Sequence, residues 1–192
     1  MKTPFMVALA VSSLPCVALA QSQHHNEINE VIISASPLQE DSAGIKQSVS
    51  VLSGENLRNK AAATIGESLK DELGVTNQGF GPGVGKPVIR GQSDNRVRVL
   101  QDGLGTMDAS TVSGDHAVTT EALLAERIEI LRGPATLRYG SGAVGGVVNV
   151  IDNRIPDQVP EKLKGAVEYR HNTASDQDST VFKLDGGAGS WA

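Results

Sequence analysis

The sequence predicts a small secreted α+β domain. Three observations predict it: an apolar start typical of a secretory signal, several short runs in which apolar and polar residues alternate, and one well-capped helix at residues 64–73. The chain carries 17 basic and 22 acidic residues, a formal net charge of −5. Because it shows no basic cluster and no aromatic stacking platform, a nucleic-acid partner is not predicted.

Residues 1–20 form the predicted signal peptide. Lys2 supplies the positive start, and an uncharged, mostly apolar run follows. Ala18-Leu19-Ala20 offers small residues at the cleavage positions, so cleavage is predicted after Ala20. The run is too short and too broken to be a membrane-spanning helix. Cleavage would remove Cys16, the only cysteine, and with it disulfides, thiol catalysis and thiolate metal sites. Acylation of Cys16 is the alternative, but Pro15 stands where a lipoprotein site has a small residue.

A flexible N-terminal segment is predicted at residues 21–47. Its first ten residues are polar and unpatterned, and residues 38–47 look like a solvated linker. Between them, residues 30–35 are largely apolar and β-branched, and the tail offers them no core to enter. Such a segment suits pairing with the sheet edge of another protein, and Pro37 would end the strand because it has no N–H to donate. The residues alone leave it equally open that this is the first strand of the domain.

A short strand and a helical turn come next. Val49 and Val51 alternate with serines, which predicts a half-exposed strand that ends at Gly54. A helical turn is predicted at residues 55–60.

The helix at residues 64–73 has the clearest boundaries. Thr64 is the predicted N-cap, Glu67 closes a capping box, and Gly74 follows as the C-terminal stop. Its apolar stripe recurs every fourth residue: Ile65, Leu69 and Leu73.

The glycine-rich residues 79–87 are predicted to be a flexible loop. Their Gly-Lys ending suggests a phosphate-binding loop, but that motif needs a glycine where Phe80 stands and Ser or Thr where Pro87 stands. A nucleotide site is therefore not predicted. Two strands follow at residues 88–91 and 96–103, where arginines alternate with aliphatic residues and indicate a sheet with one wet face.

The polar, glycine-containing loop at residues 104–120 is the predicted recognition segment, because binding residues often lie on loops held by a rigid sheet. It contains Asp115 and His116, whose carboxylate and imidazole groups are good ligands for zinc. Zinc takes about four ligands, counting water. An adjacent pair is by itself an ordinary solvated loop feature.

Residues 121–152 are the most informative stretch. Residues 126–132 alternate, with isoleucines on one face and charges on the other, and predict a strand. The β-branched run at residues 147–152 predicts a buried strand. A glycine-dense turn at residues 133–146 joins them.

This stretch resembles the end of the plug domain of TonB-dependent outer-membrane receptors, which reads roughly I-E-V-L-R-G-P and then Y-G-S-x-A-x-G-G-V-I-N. The two strands at residues 88–91 and 96–103 are similar to the family's I-R-G and R-V-x-V-L-x-D-G elements. The resemblance implies an α+β fold, a small mixed-sheet plug domain with short helices at residues 48–155. It also implies a transporter of the Gram-negative cell outer membrane rather than an enzyme, with no prosthetic group.

The same resemblance implies a partner for the N-terminal segment. Residues 30–35 take the place of the TonB box, which faces the periplasm and pairs with the energy-transducing protein TonB. The implied TonB-binding residues are Glu30, Val31, Ile32, Ile33, Ser34 and Ala35.

The wording around the Asp-His pair, beginning G-D-H-A-V-T-T-E, looks like the subgroup of these receptors that imports zinc. That resemblance implies that Asp115 and His116 are metal ligands, that barrel loops supply the others, and that zinc is the transported substrate. Ferric siderophore, haem and cobalamin are the alternative cargoes.

Residues 156–192 are the predicted start of a barrel. Two alternating runs at residues 163–170 and 180–187, joined by a polar turn, resemble the first hairpin of an antiparallel transmembrane β-barrel with apolar residues outward. A lone hairpin cannot span a bilayer, since its unpaired edges would lie in hydrocarbon. We therefore expect an N-terminal fragment of a receptor. The alternative is a free-standing periplasmic plug-like binding domain.

Overall fold

A computed structural model describes residues 48–152, 154–155, 159–160, 162–173 and 175–187. The predicted signal peptide, the flexible segment and residues 30–35 lie outside these described residues. The described part contains nine strands and two α-helices, with short 3₁₀ turns between them. The elements are β1 (Ser48–Ser53), α1 (Gly54–Lys60), α2 (Ile65–Leu69), β2 (Val75–Gly79), β3 (Gly85–Ile89), β4 (Val97–Gln101), β5 (Leu104–Gly105), β6 (Arg127–Arg132), β7 (Gly146–Ile151), β8 (Lys164–Asn172) and β9 (Gln177–Asp185).

The central sheet has five strands in the order β1-β6-β7-β4-β5. Strands β4 and β7 are parallel, and the other neighbours are antiparallel. Strands β2 and β3 form a separate antiparallel pair, as do β8 and β9. A mixed sheet with a few short helices is the predicted α+β class, which is confirmed. No helix in the described part of the chain is both long and apolar enough to cross a bilayer.

Both faces of the central sheet are covered. On one face, the largest apolar cluster joins side chains of β6 and β7 to Leu57, Ile65, Leu69 and Ile89 from the helices and β3. On the other face, Leu131 and Val147 pack with Ala143 and Tyr139 of the glycine-rich segment 133–146. The buried strand at β7 is therefore confirmed. The predicted strand at residues 126–132 is β6, and its face opposite the isoleucines is buried as well, because the segment expected to be only a turn folds over it.

Helix α2 is shorter than predicted. Thr64 is its N-cap and accepts a hydrogen bond from the Glu67 N–H at 3.2 Å. The Glu67 side chain does not return to the cap; it pairs with Lys70 at 2.5 Å and accepts a hydrogen bond from the amide nitrogen of Asn77 at 3.0 Å. The helix ends at Leu69, and Leu73, the third residue of the predicted stripe, is 88% exposed.

The predicted loop at residues 79–87 is only partly a loop. Its last residues form β3, which begins at Gly85 instead of Val88 and buries Lys86. Strand β4 is likewise shorter than the predicted strand at 96–103, and a two-residue strand, β5, follows it. Pro87 is tolerated in β3 because β3 has only one strand neighbour, β2, in the described part of the chain.

Strands β8 and β9 alternate as predicted. Their exposed face carries apolar and aromatic residues: Val167, Tyr169, Phe182 and Leu184. On the opposite face, Arg170 donates to the Ala62 carbonyl oxygen at 2.8 Å and pairs with Glu121 at 3.2 Å. The assignment of this hairpin to a barrel stays a prediction.

Candidate functional site

The candidate site lies on the loop that follows β5. This loop is closed at its base by Asp108. One carboxylate oxygen of Asp108 accepts from the Ser110 N–H at 3.0 Å and from the Ser110 hydroxyl, and the other accepts from the Thr119 N–H at 3.3 Å and hydroxyl at 3.1 Å. Partial burial acts to raise the pKa of Asp108, but these hydrogen bonds outweigh it and lower the pKa below the usual value. We call residues 108–119 the clamped loop.

Asp115 and His116 lie together on the clamped loop, with 52% and 53% of their side chains exposed. The Nδ1 atom of His116 is 2.9 Å from a carboxylate oxygen of Asp115, which also accepts from the Ser113 hydroxyl. These two hydrogen bonds, that from Ser113 first, lower the pKa of Asp115. Because an ionised carboxylate only accepts, this contact requires a hydrogen on Nδ1, and in a neutral ring Nε2 then holds the lone pair that binds a metal.

The metal-ligand roles of Asp115 and His116 stay a prediction. A carboxylate on one imidazole nitrogen and a metal on the other is a common arrangement in metal sites, and it fixes the ring orientation. In such an arrangement, His116 would offer the ligand atom and Asp115 would orient the ring. Within the described residues, no group of three or more His, Cys, Asp and Glu side chains could hold a metal ion. The other ligands of a zinc ion would have to come from elsewhere.

Beneath the clamped loop lies Lys86 of β3, whose side chain is only 4% exposed. Its ammonium donates to the main-chain carbonyl oxygens of Ser110 and Ser113 and is 3.2 Å from a carboxylate oxygen of Asp94. Three acceptors match the three donors of an ammonium group. No local pattern indicates this role in the sequence, because the failed phosphate-loop motif left Lys86 in a predicted loop.

A second buried cation lies at the end of β6. The Nη1 atom of Arg132 donates to the Ser50 hydroxyl at 2.8 Å, whereas Nε and Nη2 have no hydrogen-bond partner in the part of the chain that the structure describes. Burial, and then the charge of Arg90, lower the pKa of Arg132, and the nearby Glu72 carboxylate partly opposes them. A buried guanidinium of this kind is costly unless an anion completes it.

The profile of one protein family, the TonB-dependent Receptor Plug Domain, matches residues 41–147. The chain belongs to this family. The plug spans more than half of the chain, and its mixed sheet is the one described above. The predicted family is thus confirmed, while the predicted boundaries at residues 48 and 155 stay a prediction.

Curated relatives agree with this membership. The plug chain is 31% identical to the heme/hemopexin utilization protein C of Haemophilus influenzae over 92% of this chain and 24% of that protein. It is 30% identical to the vitamin B12 transporter BtuB of Photobacterium profundum over 78% of this chain and 24% of that protein. The chain therefore spans about a quarter of the length of these relatives. Neither is described as a zinc importer, so they do not support the zinc subgroup.

A solved structure gives the same result for the fold. The ferric enterobactin receptor of Pseudomonas aeruginosa, in complex with BCV-L6, matches with a TM-score of 0.59 and 26% identity, over 76% of this chain and 24% of that one.

Proposed function

We propose that this plug is the N-terminal part of a TonB-energised receptor in the outer membrane of a Gram-negative bacterium, and that the receptor imports a scarce metal-containing nutrient. The observation that carries the proposal is the plug family match over residues 41–147. In this role the chain binds and gates and does no covalent chemistry. Its partners are TonB, the cargo and the wall of a surrounding barrel.

Residues 30–35 are the proposed binding segment for TonB, which supplies the energy for transport. We expect a peptide covering residues 28–40 to bind the periplasmic domain of TonB by adding a strand to its sheet. Replacing Ile32 with proline removes a backbone donor and should weaken binding by about tenfold or more, or ~1.4 kcal/mol, as measured by calorimetry. Replacing Gln39 with proline, outside the segment, is the control. Equal binding of the Ile32→Pro and unchanged peptides would exclude strand pairing at this segment.

The apolar exposed face of the β8–β9 hairpin supports the presence of a barrel wall beside the plug. This face carries Val167, Tyr169, Phe182 and Leu184. An outward-facing apolar band is the pattern of strands in a transmembrane barrel.

Zinc is the first candidate cargo that we propose for the clamped loop. His116 is half-exposed and its Nδ1 lies against Asp115, which leaves Nε2 as the nitrogen for a metal. We expect Zn²⁺ titrated into the chain to bind through His116, with affinity lost in His116→Ala and reduced about 10- to 100-fold in Asp115→Ala.

His171 is the matched control, because it forms the same contact with Asp178 at 2.7 Å and is 43% exposed. His171→Ala should leave the zinc affinity of the loop unchanged. Equal losses in His116→Ala and His171→Ala would mean that zinc binds histidines without preference for this loop.

Haem, siderophore or cobalamin is the second candidate cargo, and the names of the relatives favour it. Haem added to the same variants separates the two cargoes. A Soret shift that requires His116, without specific zinc binding, would move the proposal to haem. Growth of a strain with the intact receptor, under zinc or iron limitation, tests the choice in cells. A plug that folds and acts without any barrel would favour the alternative proposal, a free-standing periplasmic binding domain, over a receptor.

A further inference from the structure

Lys86 holds the clamped loop against the body of the plug by hydrogen bonds, and Val118 of the same loop packs on the main apolar cluster. The Lys86 ammonium lies between strand β3 and the loop, and it reaches the loop through the carbonyl oxygens of Ser110 and Ser113. Those contacts are made to main-chain atoms, so they restrain the path of the backbone rather than one rotamer. A buried ammonium with all three donors used has little freedom to move.

The backbone of Lys86 is itself held in place. Gly66 of α2 approaches the Lys86 backbone so closely that a Cβ at Gly66 would lie 2.6 Å from the Lys86 nitrogen and carbonyl carbon. Lys86 also pairs with Gln78 across the β2–β3 ladder. The ammonium is therefore held between a rigid base and the loop.

A continuous set of contacts leads from Lys86 to the candidate ligand. Lys86 holds the carbonyl oxygen of Ser113, the hydroxyl of Ser113 donates to Asp115, and Asp115 accepts from Nδ1 of His116. Asp108 closes the base of the loop independently, through Thr119. Without Lys86 the loop would keep its base and lose the restraint on the half that carries His116.

We propose that Lys86 is the positioning residue of the cargo loop: it fixes the main chain at Ser110 and Ser113 and thereby sets the direction in which His116 is presented. The part of this inference that concerns cargo rests on the proposed function. Lys86 touches no cargo in this scheme and acts only through the loop.

The test compares Lys86→Met with the unchanged chain by amide hydrogen exchange and by NMR of the His116 ring. Methionine keeps the length and apolar stem and removes the charge and the donors. We expect exchange in the Ser113 and His116 amides to rise about tenfold or more, while the β6 and β7 amides keep their protection. The His116 ring signals should shift, and Zn²⁺ affinity should fall as in Asp115→Ala.

Lys60→Met is the matched control, because Lys60 forms a part-buried ion pair with Glu72 at 2.5 Å away from the clamped loop. It should leave loop exchange and the His116 signals unchanged. If Lys86→Met does not fold, Lys86→Arg gives the answer, since a planar guanidinium cannot place three donors as an ammonium does. A folded Lys86→Arg chain should then show the faster loop exchange.

Unchanged loop exchange and unchanged His116 signals in a folded Lys86 variant would overturn the inference. A uniform rise that includes β6 and β7 would also overturn it, because Lys86 would then serve general stability. If the unchanged chain binds no Zn²⁺ while the loop still loosens in Lys86→Met, the zinc proposal fails and the positioning of His116 stands. Equal zinc affinity of the Lys86→Met chain and the unchanged chain would show that Lys86 has no part in cargo binding.

Discussion

Replacing Gly66 with alanine should destabilise the plug by about 3 kcal/mol or more. A Cβ at this position would lie 2.3 Å from the Asn77 side-chain oxygen and 2.6 Å from two backbone atoms of Lys86. Backbone atoms cannot turn away as a flexible side chain can, so α2 and β3 must separate. Alanine favours a helix over glycine by only about 1 kcal/mol, so the steric term decides the sign.

Urea denaturation followed by circular dichroism measures this effect. Gly83→Ala is the control, because a Cβ there meets nothing within 4 Å and Gly83 is not among the glycines with positive φ. Gly83→Ala should change the free energy of unfolding by no more than about 0.5 kcal/mol. Equal stability of the Gly66→Ala and Gly83→Ala chains would contradict the close packing of α2 on β3.

Replacing Glu129 with glutamine, nearly isosteric, should cost about 2 kcal/mol or more. Glu129 is fully buried in β6 and receives two donors, Nε of Arg127 at 3.1 Å and Nδ2 of Asn149 at 3.2 Å. Glutamine has one side-chain oxygen, so its NH₂ group must face one of these donors. Asn149 cannot turn its amide over, because its oxygen already accepts from the Gly103 N–H at 2.9 Å.

Arg127 is 32% exposed and can move toward water, which limits the cost to the loss of a charge-assisted hydrogen bond. The same denaturation experiment measures the effect. Glu55→Gln is the control, since the Glu55 side chain is 81% exposed and its contact with Arg58 is 3.8 Å long. A Glu129→Gln chain as stable as the Glu55→Gln chain would show that the buried charge is not needed.

Local sequence patterns predicted the elements whose burial or capping is determined by residues close together in the chain. The β-branched run of β7 and the Thr64 cap of α2 depend on neighbours in sequence, and both are present. Burial of Glu129 depends on the segment 133–146 folding over the sheet, and a two-residue period cannot reveal what covers the second face. The pattern therefore placed the charge of Glu129 opposite the isoleucines and could not show that this face is buried.

In the candidate site, too, some residues could be predicted from the sequence and others could not. Asp115 and His116 are adjacent in sequence, so their residue types identified them as possible ligands, and the resemblance to zinc-importing receptors turned this into a prediction. Lys86 lies more than twenty residues from the carbonyl oxygens it holds, and those acceptors belong to the main chain, which carries no sequence signal. Only the folded loop brings them together. The early end of α2 has a similar origin, because local periodicity could not show that Leu73 stays largely exposed in the described part of the chain.

The place of β1 in the sheet determines how this domain responds to mechanical load. β1 lies at one edge, and its only strand neighbour in the described part of the chain is β6, along Ser48–Ser53. It is also the first described element, so a tension applied ahead of Ser48 reaches this strand before any other described element. Peeling it away would break one ladder and leave the strands β6-β7-β4-β5 joined, so we expect this edge ladder to open first.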